Sequence, residues 1–184
     1  MQAFVMCLVA AAMLGSAPAQ AAAFAAADTP GAPALLLSGD IRPNDDAAFR
    51  AAAASFKGRV LLTTGPGGAV QAAVAIGTDI RNRGWTTMVP PGATCASACA
   101  LVWLAGAKRV LGQGARIGFH ALSEIRNGTA TETHDADMAL RHWISGLGYS
   151  YDTTNTIVNT SARSIRWFDA LELQYNGITV DPAP

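Results

Sequence analysis

The chain predicts an α/β domain of repeated βα units, with a mainly parallel sheet flanked by helices. Three observations carry that reading. Short apolar runs, ALLLSGDI at Ala34–Ile41, RVLLTT at Arg59–Thr64 and WTTMV at Trp85–Val89, alternate with alanine-rich stretches of helical period. Gly and Pro clusters punctuate them, GPGG at 65–68 and PPG at 90–92. A length of 184 residues suits one domain with a real core. Strands and helices that alternate in this way favour parallel pairing through right-handed crossovers. No internal repeat and no second domain is visible.

The opening stretch is apolar from Ala3 to Leu14, then turns small and helix-breaking at Gly15, Ser16 and Pro18. Ala19-Gln20-Ala21 fits the small-x-small rule, so residues 1–21 read as a secretory signal cut after Ala21 or Ala23. That places the mature protein in the periplasm or outside the cell. One departure is that no Lys or Arg precedes the apolar run. The run is too short to remain as a membrane span in the mature chain. Ala22–Pro33, rich in Ala, Pro and Gly, reads as a flexible leader, and the domain occupies 34–184.

Within the domain, Asn44 or Asp45 can cap the helix DDAAFRAAAASF. A second helix runs from about Ala69 to Arg83, with Val70, Ala73, Val74, Gly77 and Ile80 on one face. ALVWLAGA follows as an apolar helix, then strands at Arg109–Leu111 and Arg116–Phe119. Ser123–Thr133 is polar and bears a glycine, which reads as a loop. Helices are expected at about Ala136–Gly146, Thr153–Ser161 and Phe168–Tyr175, before a last strand at Gly177–Val180.

Composition excludes some functions. The formal net charge is +0, charged residues make up 14%, and Lys57 and Lys108 are the two lysines. Capture of nucleic acid needs clustered basic residues, and none are present. Signal removal takes Cys7 and leaves Cys95 and Cys99, an even pair that suggests a disulfide in an oxidising compartment. A metal site is disfavoured, since zinc takes three or four ligands and the histidines lack ligand-like spacing. No cofactor is implied.

In α/β folds, chemistry collects where a strand's carboxyl end enters the next helix. GPGG is one such junction. It reads either as a loop whose free amides face a developing oxyanion or as a tight turn needing φ > 0. Cys95-Ala96-Ser97-Ala98-Cys99 is the other. Ser97 is open to three readings: a nucleophile on a strand-to-helix turn with small neighbours, an N-cap, or filler between bonded cysteines. Residues i and i+4 of a helix lie about 6 Å apart at Cα, within disulfide range, provided Cys95 sits outside the first turn. His120 follows a predicted strand and is the best-placed base, whereas His134 and His142 read as structural. Lys57 and Lys108 fall at positions that do not suit a Ser-Lys dyad.

The order of motifs resembles a known family. LSGDI, then GPGGAVQAA, then a small-Ser-small turn leading to LAGAKR, then RIGFHA and FDALELQYNGI, is similar to the Clp-protease proteolytic subunit and the wider Clp/crotonase superfamily, over about Leu36 to Val180. The leader and the cysteine frame look most like an exported branch of it. The resemblance implies a single Clp/crotonase-like domain in which Ser97 is the nucleophile and His120 the general base, while the Gly68 and Ala98 amides form the oxyanion hole. It also implies a peptide or other acyl substrate, and relatives assemble as homo-oligomers. The triad aspartate should fall near Asn159-Thr160-Ser161, where no carboxylate stands. Asn159 is the candidate to orient the imidazole instead, and Asp152 lies earlier. The expected function is an exported serine hydrolase, most simply a peptidase. The competing reading is an inactive binding or scaffold protein of the cell envelope. An acyl-CoA enzyme ranks third, since no basic cluster awaits the phosphates.

Overall fold

The computed structural model describes residues 22–29, 32–56, 60–126, 129–132 and 135–182. The signal-peptide expectation for 1–21, like His134 and Lys57, lies outside them.

Five strands form the larger sheet, in the order β1-β2-β3-β4-β6. These are Ala23–Thr29 (β1), Ala32–Ser38 (β2), Val60–Thr64 (β3), Thr86–Val89 (β4) and Lys108–Leu111 (β6). From β2 to β6 every pairing is parallel. β1 runs antiparallel to β2 through seven residue pairs, from Ala23 opposite Ser38 to Thr29 opposite Ala32. The segment expected to be a flexible leader therefore supplies an edge strand, because β2 offers an unpaired edge to the chain that immediately precedes it.

A second sheet has three strands in the order β10-β7-β5: Arg166–Phe168 (β10), Arg116–Phe119 (β7) and Thr94–Ala96 (β5). β5 and β7 are parallel, while β10 is antiparallel to β7. The expected loop at Ser123–Thr133 contains a hairpin, with Ser123–Arg126 (β8) antiparallel to Thr129–Glu132 (β9). The expected last strand at Gly177–Val180 does not form. A single bridge joins Val110 to Asp181, and the Asp181 carboxylate accepts from the Arg109 amide at 2.9 Å.

Helices α1 (Asp45–Ser55), α2 (Val70–Arg83) and α3 (Ala98–Leu104) pack between and beside the sheets, followed by α4 (Asp135–Gly146), α5 (Tyr151–Val158) and α6 (Ala170–Tyr175). Asn44 occupies the N-cap position of α1 without a side-chain cap bond. Asp45 instead accepts from the Arg42 amide at 2.7 Å. Along α2 the buried residues are Ala72, Ala73, Ile76, Gly77 and Ile80, a face turned slightly from the expected one.

All seven residues of α3 are buried, the mark of a helix that is apolar all round. Ala98 and Val102 join one core with Leu37, Phe49, Leu61 and Ile76. Cys99, Leu101, Trp103 and Leu104 join another around Ile117, Phe119 and Phe168. α3 thus links the two sheets, and whatever precedes it is held from both sides. Beside it, the Tyr149 hydroxyl donates to the Leu104 carbonyl at 2.9 Å. Burial pushes the Tyr149 phenol up, against an opposing pull from Arg109 and Arg81.

Candidate functional site

Ser97 stands at the break between β5 and α3, with φ 55° and ψ −126°. A positive φ at a non-glycine residue costs about 1–3 kcal/mol and persists only where the surroundings fix it. The Ser97 amide donates to the Gly118 carbonyl at 2.8 Å, and its carbonyl accepts from the Leu101 amide at 3.1 Å. Its hydroxyl makes no capping bond. Ser97 occupies the cap position, then, while its Oγ is left to the cleft beyond.

The sheet register explains which residues meet. Ala96 of β5 lies opposite Gly118 of β7 in a parallel pair. The carboxyl ends of the two strands are therefore neighbours, about 4.8 Å apart. Ser97 follows one end and His120 the other. Both are half-buried and line one cleft of about 230 Å³ with Gly68, Leu101 and Leu122. No hydrogen bond joins the Ser97 hydroxyl to the His120 ring among the described residues. Contacts between nucleophile and base are commonly long before substrate closes a site.

GPGG is not a tight turn. Gly65 bridges Cys95 on one side and Gly68 bridges Ile41 on the other, so the segment runs extended between Gly39–Ile41 and Thr94–Ser97. The Gly67 carbonyl accepts from the Ile41 amide at 2.7 Å. Since the Gly67–Gly68 peptide bond is trans, the Gly68 N–H on the same peptide unit points the opposite way, toward the Ser97 side. The Ala98 N–H is one of the amides that open a helix without a partner in it. Gly67 keeps that amide uncovered, because a Cβ there would fall 2.9 Å from the Ala98 nitrogen and 2.6 Å from the Ser97 Cβ. At Gly68 a Cβ would sit 2.0 Å from the Ile41 oxygen. Both positions demand glycine.

Cys95 and Cys99 are bonded across Ser97, with Cα atoms 5.3 Å apart. Cys95 lies in β5, outside the first turn of α3, and both sulfurs belong to a buried core.

His120 Nδ1 lies 2.7 Å from the Ala121 carbonyl oxygen. A carbonyl only accepts, so the contact assigns the proton of the neutral ring to Nδ1 and leaves the Nε2 lone pair free. Asn159 does not reach His120. Its Oδ1 accepts from Arg141 at 2.7 Å, because α4 and α5 pack together and the guanidinium crosses between them. Asp152 is exposed in the first turn of α5, His142 is exposed on α4, and Lys108 is exposed where β6 begins. The main-chain acceptor on His120 had no signature in residue type, and so the sequence could not reveal it.

The cleft opens into a groove of about 710 Å³. The start of α2 (Val70, Gln71) and Leu140 of α4 form its walls, and Asn44 and Asp46 lie at its far end. Among the described residues, no group of three or more His, Cys, Asp or Glu could hold a metal ion, and no helix is long and apolar enough to cross a membrane.

A mixed α/β domain with a parallel sheet, flanking helices and a serine turn at a strand's carboxyl end is a Clp-protease-like fold. Two solved structures of a membrane-bound stomatin-specific protease share it. One, a serine-to-alanine mutant, superposes with a TM-score of 0.61 at 19% identity, over 82% of this chain and 77% of that one. The other, a lysine-to-alanine mutant in complex with a substrate peptide, gives 0.59 at 20% identity, over 82% and 73%. The likeness is one of fold. No protein-family model and no curated protein matches the sequence.

Proposed function

We propose that the protein is an exported serine hydrolase, a peptidase in the first instance. The single observation behind this reading is the meeting of Ser97, on its positive-φ turn, with His120 in one cleft. Ser97 Oγ attacks an acyl carbonyl while its proton passes to His120 Nε2. The resulting oxyanion faces the Gly68 and Ala98 amides. His120 then returns the proton to the leaving amine, and water releases the acyl group by the same steps.

A peptide substrate is favoured by the groove beside the cleft and by the peptide complex of the structurally similar protease. Export is favoured by the Ala19-Gln20-Ala21 signal and by a disulfide that suits an oxidising compartment. Homo-oligomer formation rests on the family resemblance alone. The second reading, a non-catalytic binding or scaffold protein of the envelope, is favoured by one observation: among the described residues His120 bonds a carbonyl and no carboxylate.

A fluorophosphonate probe separates the two. The hydrolase reading expects labelling that is abolished in Ser97→Ala and slowed by about 100-fold or more in His120→Ala. Absence of Ser97-dependent labelling in folded protein selects the binding reading.

A further inference from the structure

Three hydrogen bonds, with others bracing them, run in sequence from α4 to the His120 ring. Arg141 Nη2 donates to Asn159 Oδ1 at 2.7 Å, while Nη1 holds Asn155 Oδ1 at 2.6 Å and Nε holds Asp137 at 2.7 Å. Asn159 ends α5, where its amide donates to the Asn155 carbonyl at 3.0 Å. The next residue, Thr160, accepts the Ala121 amide through its carbonyl at 2.6 Å. Ala121 in turn offers its carbonyl to His120 Nδ1 at 2.7 Å.

Ala121 is thus held on both sides, its amide by the Thr160 carbonyl and its own carbonyl by the His120 ring. Its placement depends on Thr160, and the end of α5 that precedes Thr160 is tied to α4 through the Arg141 guanidinium. Arg141 spends all three of its nitrogens on this junction and on its own helix. The side chain is 29% exposed, so its bonds are only partly screened. Holding three separate oxygens restrains a long and mobile side chain, at a cost in conformational entropy.

We propose that Arg141 and Asn159 are positioning residues for His120. Through the main chain of Thr160 and Ala121 they hold a carbonyl where a carboxylate would otherwise orient the imidazole, and so fix the proton on Nδ1. The inference rests on the hydrolase reading for its catalytic meaning, but the geometry it asserts is measurable without catalysis.

The test is the tautomer of His120, read by long-range ¹H–¹⁵N correlation at a pH where the ring is neutral, with His120→Gln used to assign the signal. Wild type is expected to show Nδ1–H with a bare Nε2. Asn159→Ala removes an exposed side chain and leaves Arg141 bonded to Asp137 and Asn155. It should shift the ring toward a mixture of tautomers and slow fluorophosphonate labelling by about tenfold to a hundredfold. Arg141→Gln should do the same. Asn159→Asp, which keeps an acceptor for Arg141, should restore both readouts. A purely structural role would lower the melting temperature and leave the tautomer untouched.

Wild-type His120 as Nε2–H overturns the proposal, and so does a tautomer indifferent to both Asn159→Ala and Arg141→Gln. With Ser97-dependent labelling intact, that outcome spares the hydrolase reading. The converse result, a responsive Nδ1–H tautomer with no Ser97-dependent labelling, keeps the positioning network and removes the hydrolase.

Discussion

Replacing both cysteines by alanine should destabilise the fold by an amount that the structure lets us work out. The bond closes a very short loop, with a sequence separation of 4. Loop-closure entropy for so few residues gives about 2 kcal/mol near room temperature, well below the contribution of a crosslink spanning a whole domain. Each sulfur also fills buried core space, and losing it resembles losing one methylene, about 0.8 kcal/mol apiece. Cys95→Ala/Cys99→Ala should therefore cost about 3.5 kcal/mol in all. For a chain of this size that lowers the melting temperature by roughly 7 to 14 °C. Urea titration and calorimetry of the protein measure it. Wild type unfolded in reductant isolates the first contribution, since it keeps both sulfurs, and should lose about 2 kcal/mol. A double variant within about 0.5 kcal/mol of wild type would refute the reasoning, because neither a closed crosslink nor two buried sulfurs could be so dispensable.

Two further substitutions probe the scaffold. Gly67→Ala sets a Cβ at 2.6 Å from the Ser97 Cβ on a backbone with φ 115°. Overpacking and the positive φ together predict a loss of about 2–4 kcal/mol in chemical denaturation, and a loss below about 1 kcal/mol would contradict the close packing. Tyr149→Phe should cost about 1 kcal/mol at neutral pH through the unpaired Leu104 carbonyl. Its pH dependence has a definite sign. The folded phenol titrates above 10.0, so wild type keeps the phenol's stabilising contribution below that pH and loses it as pH rises through the folded value, because the unfolded chain ionises first. The variant lacks that loss. In paired unfolding titrations the gap between the two proteins should therefore narrow above about pH 10, and a gap that widens would reverse the assigned burial effect.

The legible parts of the fold were those with a period long enough to read. β3, α2, β4, β6, β7 and α4 lie within a residue or two of expectation, because each combines an apolar pattern with a Gly or Pro at or close to one of its ends. β5 and β10 have three residues each, too few for any alternation to show. β1 reads AFAAADT, with no β-branched residue until its last, and forms because a partner edge is available. The hairpin of β8 and β9 carried an available signal, Asn127-Gly128 between two short segments, which polarity obscured. At the site, Ser97, His120 and the GPGG segment stood out in the sequence because strand ends are where an α/β fold gathers its chemistry, whereas Gly68 and Ala98 were singled out by the family resemblance alone. Asn159 was legible as a position and not as a partner. Nothing in the sequence tells which side chain a guanidinium eighteen residues upstream will claim.

That exchange of partners bears on how much activity a site of this design retains. When a triad aspartate is replaced by asparagine, turnover falls by about 10⁴, chiefly because the amide can donate to Nδ1 and favour the wrong tautomer. A main-chain carbonyl has no such ambiguity. It can only accept, so the Ala121 oxygen enforces Nδ1–H as an aspartate would. What it cannot supply is the negative charge that steadies the imidazolium once the proton has moved. Hydrogen bonds to charged groups contribute about 1.5–3 kcal/mol against about 1 for neutral pairs, so the deficit is on the order of 1–2 kcal/mol. At about 1.4 kcal/mol per factor of ten, that is roughly a five- to thirtyfold loss in rate. In a hydrolase built on Ser97 and His120, the missing carboxylate is thus a modest handicap, provided the carbonyl stays where residues 159–160 hold it. Asn159 in the carboxylate's place would have been the worse solution, and tying its oxygen to Arg141 turns it into an anchor for the main chain instead.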